Sequence, residues 1–475
     1  MRNACCLVIA GTICAGVAGA DEVVGPFIHG EIIVKFDMPA PDTGVVEAAL
    51  GNVEWYVPRH APHAKGEPGT PHPLSFYRVA KVGPEADVVA LSALVSELPG
   101  VDWAHVNGAP EPTFTPNDPM FGQLWNHEKI NTEGGWDVSL GSHDVIVALV
   151  ETGVRVTHQD LIDNLWINDD PPNGIDDDGN GFVDDTYGWD FVQNDNGVED
   201  VFGHGTQVTG ISCGVINNGI GIAGIGNTRS MQAKWWHQSG SDMSVAESVY
   251  YAVDNGAHVL NLSLGCLCTM PATEDACNYA YDNNVAPVAA SGNNNANGGY
   301  PGAYPNVIAV SGIDKFDNKY SAGNFGPHID VAAPTPDITT TSHTGDSSYT
   351  NSFGGTSAAS PHVAGLVGLM LSVDNSLTPD EIRTLLHENA EDFGAPGFDQ
   401  IFGWGRIDVA ATMEAVLAGA CPADFNKDGN LDILDFIAYQ NAWTAQEAEA
   451  DCDDNGLYNI LDFVCFQNLF QAGCL

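Results

Sequence analysis

Four side chains in this sequence could together carry out nucleophilic catalysis. Ser357 lies in "FGGTSAASPHVAG" (Phe353 to Gly365), on a glycine-rich turn entering an apolar helical run. The N–H groups that open a helix can stabilise negative charge developing beside such a hydroxyl. His204 sits between glycines in "GHGTQVTG", where backbone can approach closely and the imidazole stays accessible. Glu151 ends the apolar run "HDVIVALV", and Asn293 follows another in "AASGNNN". Singly, each has a bland explanation: a serine before a helix is usually a cap, and a histidine between glycines is usually structural. Together they supply a nucleophile, a base, an orienting acid and an amide donor.

The elements that must position them read as alternating strands and helices between Met120 and about Gly419. "HDVIVALV", "AHVLNLSL", "VAPVAAS" and "NVIAVSGI" are short, rich in small and β-branched residues, and bounded by Gly, Asn or Pro. That pattern predicts an α/β fold with a mostly parallel sheet flanked by helices, whose function gathers at the carboxyl ends of the strands. Before it, residues 21–110 read as a small α+β unit: "EIIVKF" and "VDWAHV" alternate like strands, and "DVVALSALVSEL" has helical spacing. The Pro-rich stretch Gly108 to Pro119 reads as an exposed linker suited to proteolytic nicking. After it, residues 419–475 hold a duplication, "DFNKDGNLDILDF" from Asp424 and "DCDDNGLYNILDF" from Asp451, each running into a helical stretch.

The motifs resemble those of the subtilisin-like serine proteases, the subtilases, in the chain order acid, histidine, serine. Glu151-Thr152-Gly153, the run His204 to Gly210, Gly292-Asn293 and the run Gly355 to Pro361 carry the resemblance, which covers roughly Thr115 to Ala418. It implies Ser357 as nucleophile, His204 as general base, and an oxyanion hole from the Asn293 side chain and the Ser357 N–H. It also implies that Ser263, Leu264 and Gly265 in "NLSLG" pair with substrate backbone by strand addition. Gly299 would be the floor of a pocket for a large apolar side chain. Residues 21–110 would be an inhibitory propeptide, cut away between about Asn107 and Thr115. Glu151 departs from the family, which has aspartate: it keeps the charge on a stem one methylene longer, and unrelated hydrolases use glutamate in this role. Two outcomes follow from that substitution: an active endopeptidase, or an inert cleft that binds peptides.

Calcium is the cofactor the carboxylates suggest. Asp176, Asp178, Asn180 and Asp184, grouped around Gly181, suit a loop wrapped on a hard cation, although a solvated acidic turn has the same composition. The subtilase resemblance adds Asp160, Asn218 and Asp118 as a second site. In the tail, Asp424, Asn426, Asp428, Asp432 and Asp435 form one EF-hand-type set, with Gly429 at the sixth position. Asp451, Asp453, Asn455, Asn459 and Asp462 form the other, with Gly456 at its sixth. Paired loops of this kind resemble dockerin modules, which implies docking to a cohesin-like scaffold.

The start of the chain, with Arg2, an apolar stretch and Ala18-x-Ala20, reads as a signal peptide cleaved after Ala20, so the protein is expected to be exported. Of 11 cysteines, three leave with the leader, and the eight remaining fall as two groups of four. Even numbers in an exported chain suggest disulfides, with a Cys421–Cys474 clasp around the tail. A formal net charge of −47 makes nucleic acid and anionic membranes poor partners. Part of that acidity serves the loops above; the rest is a solvated surface suited to a salty medium.

Overall fold

The run Ile146–Glu151 is apolar up to its last residue, and Val147 to Val150 are fully buried, as a strand in the middle of a parallel sheet must be. In the computed structural model this strand has neighbours on both sides. The structure describes residues 27–39, 41, 43–51, 53–58, 73–83, 86–108, 114–420, 423–426, 431, 433–446, 450–452 and 457–472. The expected signal peptide, Cys421, Cys474, Asp428, Asp432, Asp453 and Asn455 lie outside them, as do residues 109–113 of the expected cleavage segment.

Two units are distinguished, Met1–Pro112 and Thr113–Leu475. In the first, β1 (Phe27–Phe36), α1 (Gly44–Leu50), β2 (Glu54–Tyr56), β3 (Tyr77–Lys81), α2 (Val88–Ser96) and β4 (Val101–Gly108) form an α+β fold. Its four-stranded sheet has the order β2-β3-β1-β4, and all its pairings are antiparallel. Ile32, Val34 and Phe36 alternate inward from β1 onto Val46, Val88 and Val95 of the helices. Asp87 caps α2 by accepting from the Ala90 N–H.

The second unit begins with the short helices α3 (Trp125–Lys129) and α4 (Thr132–Trp136). There follow β5 (Ile146–Glu151), β6 (Gly188–Asp190), α5 (His204–Cys213), β7 (Arg229–Lys234), α6 (Asp242–Asp254), β8 (Val259–Leu262), α7 (Pro271–Asp282), β9 (Ala286–Ala290), β10 (Ile308–Ile313) and β11 (Val331–Pro334). The hairpin β12 (Ile338–Thr341) and β13 (Tyr349–Phe353) leads into α8 (Thr356–Val373), α9 (Pro379–Glu388) and α10 (Val409–Gly419). The tail adds α11 (Ile433–Ala445) and α12 (Ile460–Ala472). The seven-stranded sheet has the order β11-β10-β9-β8-β5-β7-β6 and is parallel throughout. Strand order reverses between β5 and β8, and such a switch point opens a crevice at the carboxyl ends. Glu151 ends β5 there, and Ser263 follows β8.

Helix α8 is, among the described residues, long and apolar enough to cross a membrane, but 83% of it is buried in the core of this unit. The expectation drawn from cysteine parity fails in the first group of four. Cys213 and Cys277 are free thiols, fully buried in the core, and only Cys266 and Cys268 are bonded. Burial pushes the Cys277 thiol up to about 12, so it behaves as a small apolar side chain rather than a disulfide partner. In the tail, Cys452 is bonded to Cys465.

Candidate active site

Strand β5 delivers Glu151 into the crevice with 2% of its surface exposed. Its Oε2 accepts a hydrogen bond from His204 Nδ1 at 2.7 Å. Two motif glycines make this approach possible. Gly203 holds φ +102° before the helix, and a Cβ on Gly205 would lie 2.1 Å from the Gly153 carbonyl oxygen. Burial alone would lower the pKa of His204; the charge and hydrogen bond of Glu151, with the charge of Asp200, outweigh it and hold the imidazole above its ordinary value. Oε1 of Glu151 is buried and has no hydrogen-bond partner among the described residues. One carboxylate oxygen is thus satisfied and the other is not.

Asp200 escaped the sequence reading. It is buried, and its carboxylate accepts from the N–H groups of Phe202, Gly203 and Thr206 and from the hydroxyls of Thr152 and Thr206. Thr152 Oγ1 in turn accepts from the Gly205 N–H at 2.8 Å. One carboxylate thus ties the turn carrying the acid to the first turn of the histidine's helix, where a negative charge is favoured. Its signal was available: an acid four residues ahead of a helix-opening histidine.

Ser357 is the second residue of α8, and Gly355 before it holds φ +82°. Its Oγ donates to the Ser263 carbonyl at 3.1 Å, while Ser263 Oγ donates to the Ser357 carbonyl at 3.0 Å. This reciprocal pair fastens the nucleophile candidate to the segment after β8. Asn293 accepts, through Oδ1, from the Thr356 N–H at 2.8 Å and its hydroxyl at 3.2 Å. That fixes the amide so that its NH₂ is left to donate, alongside the Ser357 N–H of the first helical turn. A cleft of about 470 Å³ brings Glu151, His204, Ser263, Asn293 and Ser357 together, with Leu264 and Gly265 on its wall. Phe202, Trp235 and Trp236, which sequence reading passed over, also line it.

Gly299 is not among the residues that line this cleft; a Cβ there would lie 2.3 Å from the Ser291 carbonyl oxygen, so no side chain fits. Its neighbour Tyr300 exchanges two backbone hydrogen bonds with Cys266, at 2.9 and 3.0 Å, beside Gly265.

Three groups of oxygen ligands lie elsewhere. Asp160 and Asp118 are both buried; Asn218 Nδ2 and the Ile222 N–H donate to the first, and the Asn217 and Asn218 N–H groups to the second. Burial pushes Asp160 up to about 6, with the charge of Asp118 adding to the rise, and raises Asp118 as well. In the loop 173–185, oxygens of Asp176 and Asp178 converge with buried Asp170, absent from the sequence-based set, within 4.8 Å of one another. Asp184 and Asn180 also hydrogen-bond within and beside the turn. Asp184 accepts from the N–H groups of Asn173 and Gly174, and Asn180 bridges to Asp185 and Asn255. In the tail, Asp424, Asp435 and Asp462 are buried at the ends of their loops; the Asn426 N–H donates to Asp435 and the Asn459 N–H to Asp462. Tyr439 and Phe466 stack between the two tail helices at 4.1 Å.

Comparison with known proteins agrees with this geometry. The model of the subtilase family matches residues 142–405, which contain Glu151, His204, Asn293 and Ser357. A thermophilic serine proteinase of Bacillus sp. strain AK1 is 34% identical over 391 residues, covering 81% of this chain and 87% of the relative. Thermitase of Thermoactinomyces vulgaris is 37% identical over 306 residues, 63% of this chain and 100% of the relative. Among solved structures, a protease of Pseudoalteromonas arctica superposes with a TM-score of 0.53 at 31% identity, over 64% of this chain and 100% of the other. With fold, cleft and sequence in agreement, the chain belongs to the subtilase family of serine peptidases.

Proposed function

We propose that the protein is an exported, calcium-stabilised serine endopeptidase acting through an acyl-enzyme. The observation that carries this is the 2.7 Å contact of buried Glu151 with His204 Nδ1, in one cleft with Ser357 and Asn293. As substrate enters, the Ser357 hydroxyl turns from the Ser263 carbonyl to His204 Nε2, a contact that commonly tightens only in the complex. Oγ attacks the scissile carbonyl and its proton passes to Nε2. The carbonyl oxygen, now negative, receives hydrogen bonds from Asn293 Nδ2 and the Ser357 N–H. Glu151 holds Nδ1–H and stabilises the imidazolium, which then protonates the departing amine. Water, deprotonated by the same histidine, releases the acyl group and regenerates the serine.

Calcium is structural in this reading. Asp118, Asp160 and Asn218 would hold one ion and Asp170, Asp176 and Asp178 another, locking loops around the crevice without entering the chemistry. The first unit acts as an inhibitory propeptide. The tail acts as a dockerin-like tether to a cohesin-like scaffold. Exposed Ile433, Leu434 and Ile437 on α11 recur 27 residues later as Ile460, Leu461 and Val464 on α12, a repeated apolar surface suited to a protein partner. Calorimetry on the full chain and on a variant with Asp435 and Asp462 replaced by alanine should show that the variant loses part of the calcium uptake, keeping that of the other two sites; equal uptake would remove the tail from the calcium account.

A second reading, a cleft that binds peptides without cutting, draws on two observations: the Ser357 hydroxyl is engaged by Ser263, and Oε1 of Glu151 is stranded. Purified mature protein incubated with a denatured protein separates the two. Cleavage abolished by Ser357→Ala and by His204→Ala supports hydrolysis; intact substrate bound to the wild type supports the second reading.

A further inference from the structure

Just past β8, Cys266 and Cys268 are bonded to each other across a single intervening residue. A bond that closes so short a loop removes little freedom from the unfolded chain, so it does little as a general staple of the fold. It is also accessible. Cys268 is exposed, Leu267 between the pair is 53% exposed, and Cys266 is half-buried against the core. The free thiols Cys213 and Cys277 are, by contrast, fully buried.

The bond stands at one end of the edge that the cleft offers to a substrate strand. Ser263, Leu264 and Gly265 line the cleft. Neither Leu264 nor Gly265 makes a backbone hydrogen bond to another described residue, so both are left to pair with an incoming chain. This open stretch is held at its two ends. At one, Ser263 exchanges hydrogen bonds with Ser357 at 3.0 and 3.1 Å. At the other, Cys266 exchanges two backbone bonds with Tyr300. Further on, the Met270 N–H donates to the Tyr304 hydroxyl at 2.7 Å. Between Cys266 and Met270, no backbone hydrogen bond to another described residue holds Leu267 or Thr269. The disulfide is therefore what stiffens the exposed turn next to the Cys266 anchor.

From this we infer that Cys266–Cys268 is a thiol–disulfide exchange site through which an external dithiol loosens the substrate-binding edge. The inference rests on the proposed reading of the cleft. A thiolate of the dithiol attacks the exposed Cys268 Sγ, the bond to Cys266 breaks, and Cys266 leaves as a thiolate. The Cys268 N–H, 3.2 Å from Cys266 Sγ, faces the sulfur on which that charge collects. The second thiolate of the reagent then attacks its own sulfur in the mixed disulfide and expels Cys268. Two electrons pass from the dithiol, which ends as a cyclic disulfide, to the protein, which ends with two thiols. The freed turn lets Cys266 move against Tyr300, and Leu264 and Gly265 lose the fixed geometry that a substrate strand needs.

The test is treatment with dithiothreitol, then alkylation with peptide mapping, and kinetics on two substrates. One is an extended peptide with several residues before the cleaved bond; the other is p-nitrophenyl acetate, too small to pair with the edge. Cys266 and Cys268 should become alkylated while Cys213 and Cys277 do not. For the peptide, kcat/KM should fall about tenfold, mostly through KM, as when a backbone hydrogen bond or two is lost. Ester hydrolysis should change less than about twofold, and reoxidation should restore the peptide rate. Cys266→Ala with Cys268→Ala should start at the low peptide value and no longer respond to the reagent, which separates this bond from Cys452–Cys465. A bond that resists the reagent in the folded protein, peptide and ester rates falling together, or a double variant with wild-type peptide kinetics overturns the inference. Should the wild type cleave neither substrate, the proposed reading of the cleft fails and equilibrium binding of the same peptide decides. Weaker binding after reduction, restored by reoxidation, upholds the exchange site; equal binding overturns it.

Discussion

Glu151→Gln separates the charge of the third residue from its size. The carboxylate is 2% exposed and 2.7 Å from His204 Nδ1, so an amide of nearly the same shape fits the same space. What disappears is the charge that steadies the imidazolium and selects the tautomer with the proton on Nδ1. Loss of this role costs on the order of 10⁴-fold in kcat, about 5.5 kcal/mol at about 1.4 per tenfold. The pH profile should move as well. Burial pulls the His204 pKa down, and the charge and hydrogen bond of Glu151, helped by Asp200, more than restore it. The base works unprotonated, so wild-type activity rises as pH climbs through that raised value. Without the Glu151 charge burial gains ground, and the rising limb shifts to lower pH. The assay is kcat/KM for one peptide across pH, wild type against variant. A fall smaller than tenfold, or a limb that stays put or moves up, would refute the role given to Glu151.

Glu151→Asp shortens the arm by roughly 1.5 Å, while Thr152, Asp200 and the Gly205 N–H hold the turn in place. Activity should fall by about 10²-fold, and a gain in kcat/KM would show that the site is not built around the longer acid. Asp200→Asn sets an amide NH₂ against donors that now face a carboxylate; urea unfolding should show a loss of about 2–3 kcal/mol, and unchanged stability would contradict its clamping role. Calcium should protect most at high pH. Asp160 in the ion-free fold titrates at about 6 because burial resists its charge, so protonation below that value relieves the strain and competes with the ion. The rise in Tm on adding calcium should therefore be larger at pH 8 than at pH 5, and the reverse order would exclude Asp160 as a ligand.

What the sequence made legible was chemistry carried by local motifs. Ser357, His204 and Asn293 sit on turns whose glycines are read directly, and β5, β8 and β9 are short buried runs that can hardly be anything else. What it hid depends on distant contacts. Asp170 meets Asp176 and Asp178 only once the loop closes. Asp200 becomes important because Thr152, from another strand end, reaches it. Cys213 and Cys277 obey a parity rule on paper, yet each is enclosed by core side chains with no second sulfur to meet. The Glu151 substitution was visible from the start; that one carboxylate oxygen is satisfied and the other is not could be learned only from its surroundings.

If Glu151 serves as the third member of the triad, it supports an activated serine. Labelling the full-length and matured chains with a fluorophosphonate, followed by peptide mapping, measures that activation at the atom concerned. Covalent phosphonylation of Ser357 is expected in the matured protein, lost in His204→Ala and strongly slowed in Glu151→Gln. Absence of labelling in the wild type, or labelling at the same rate in all three, would contradict it.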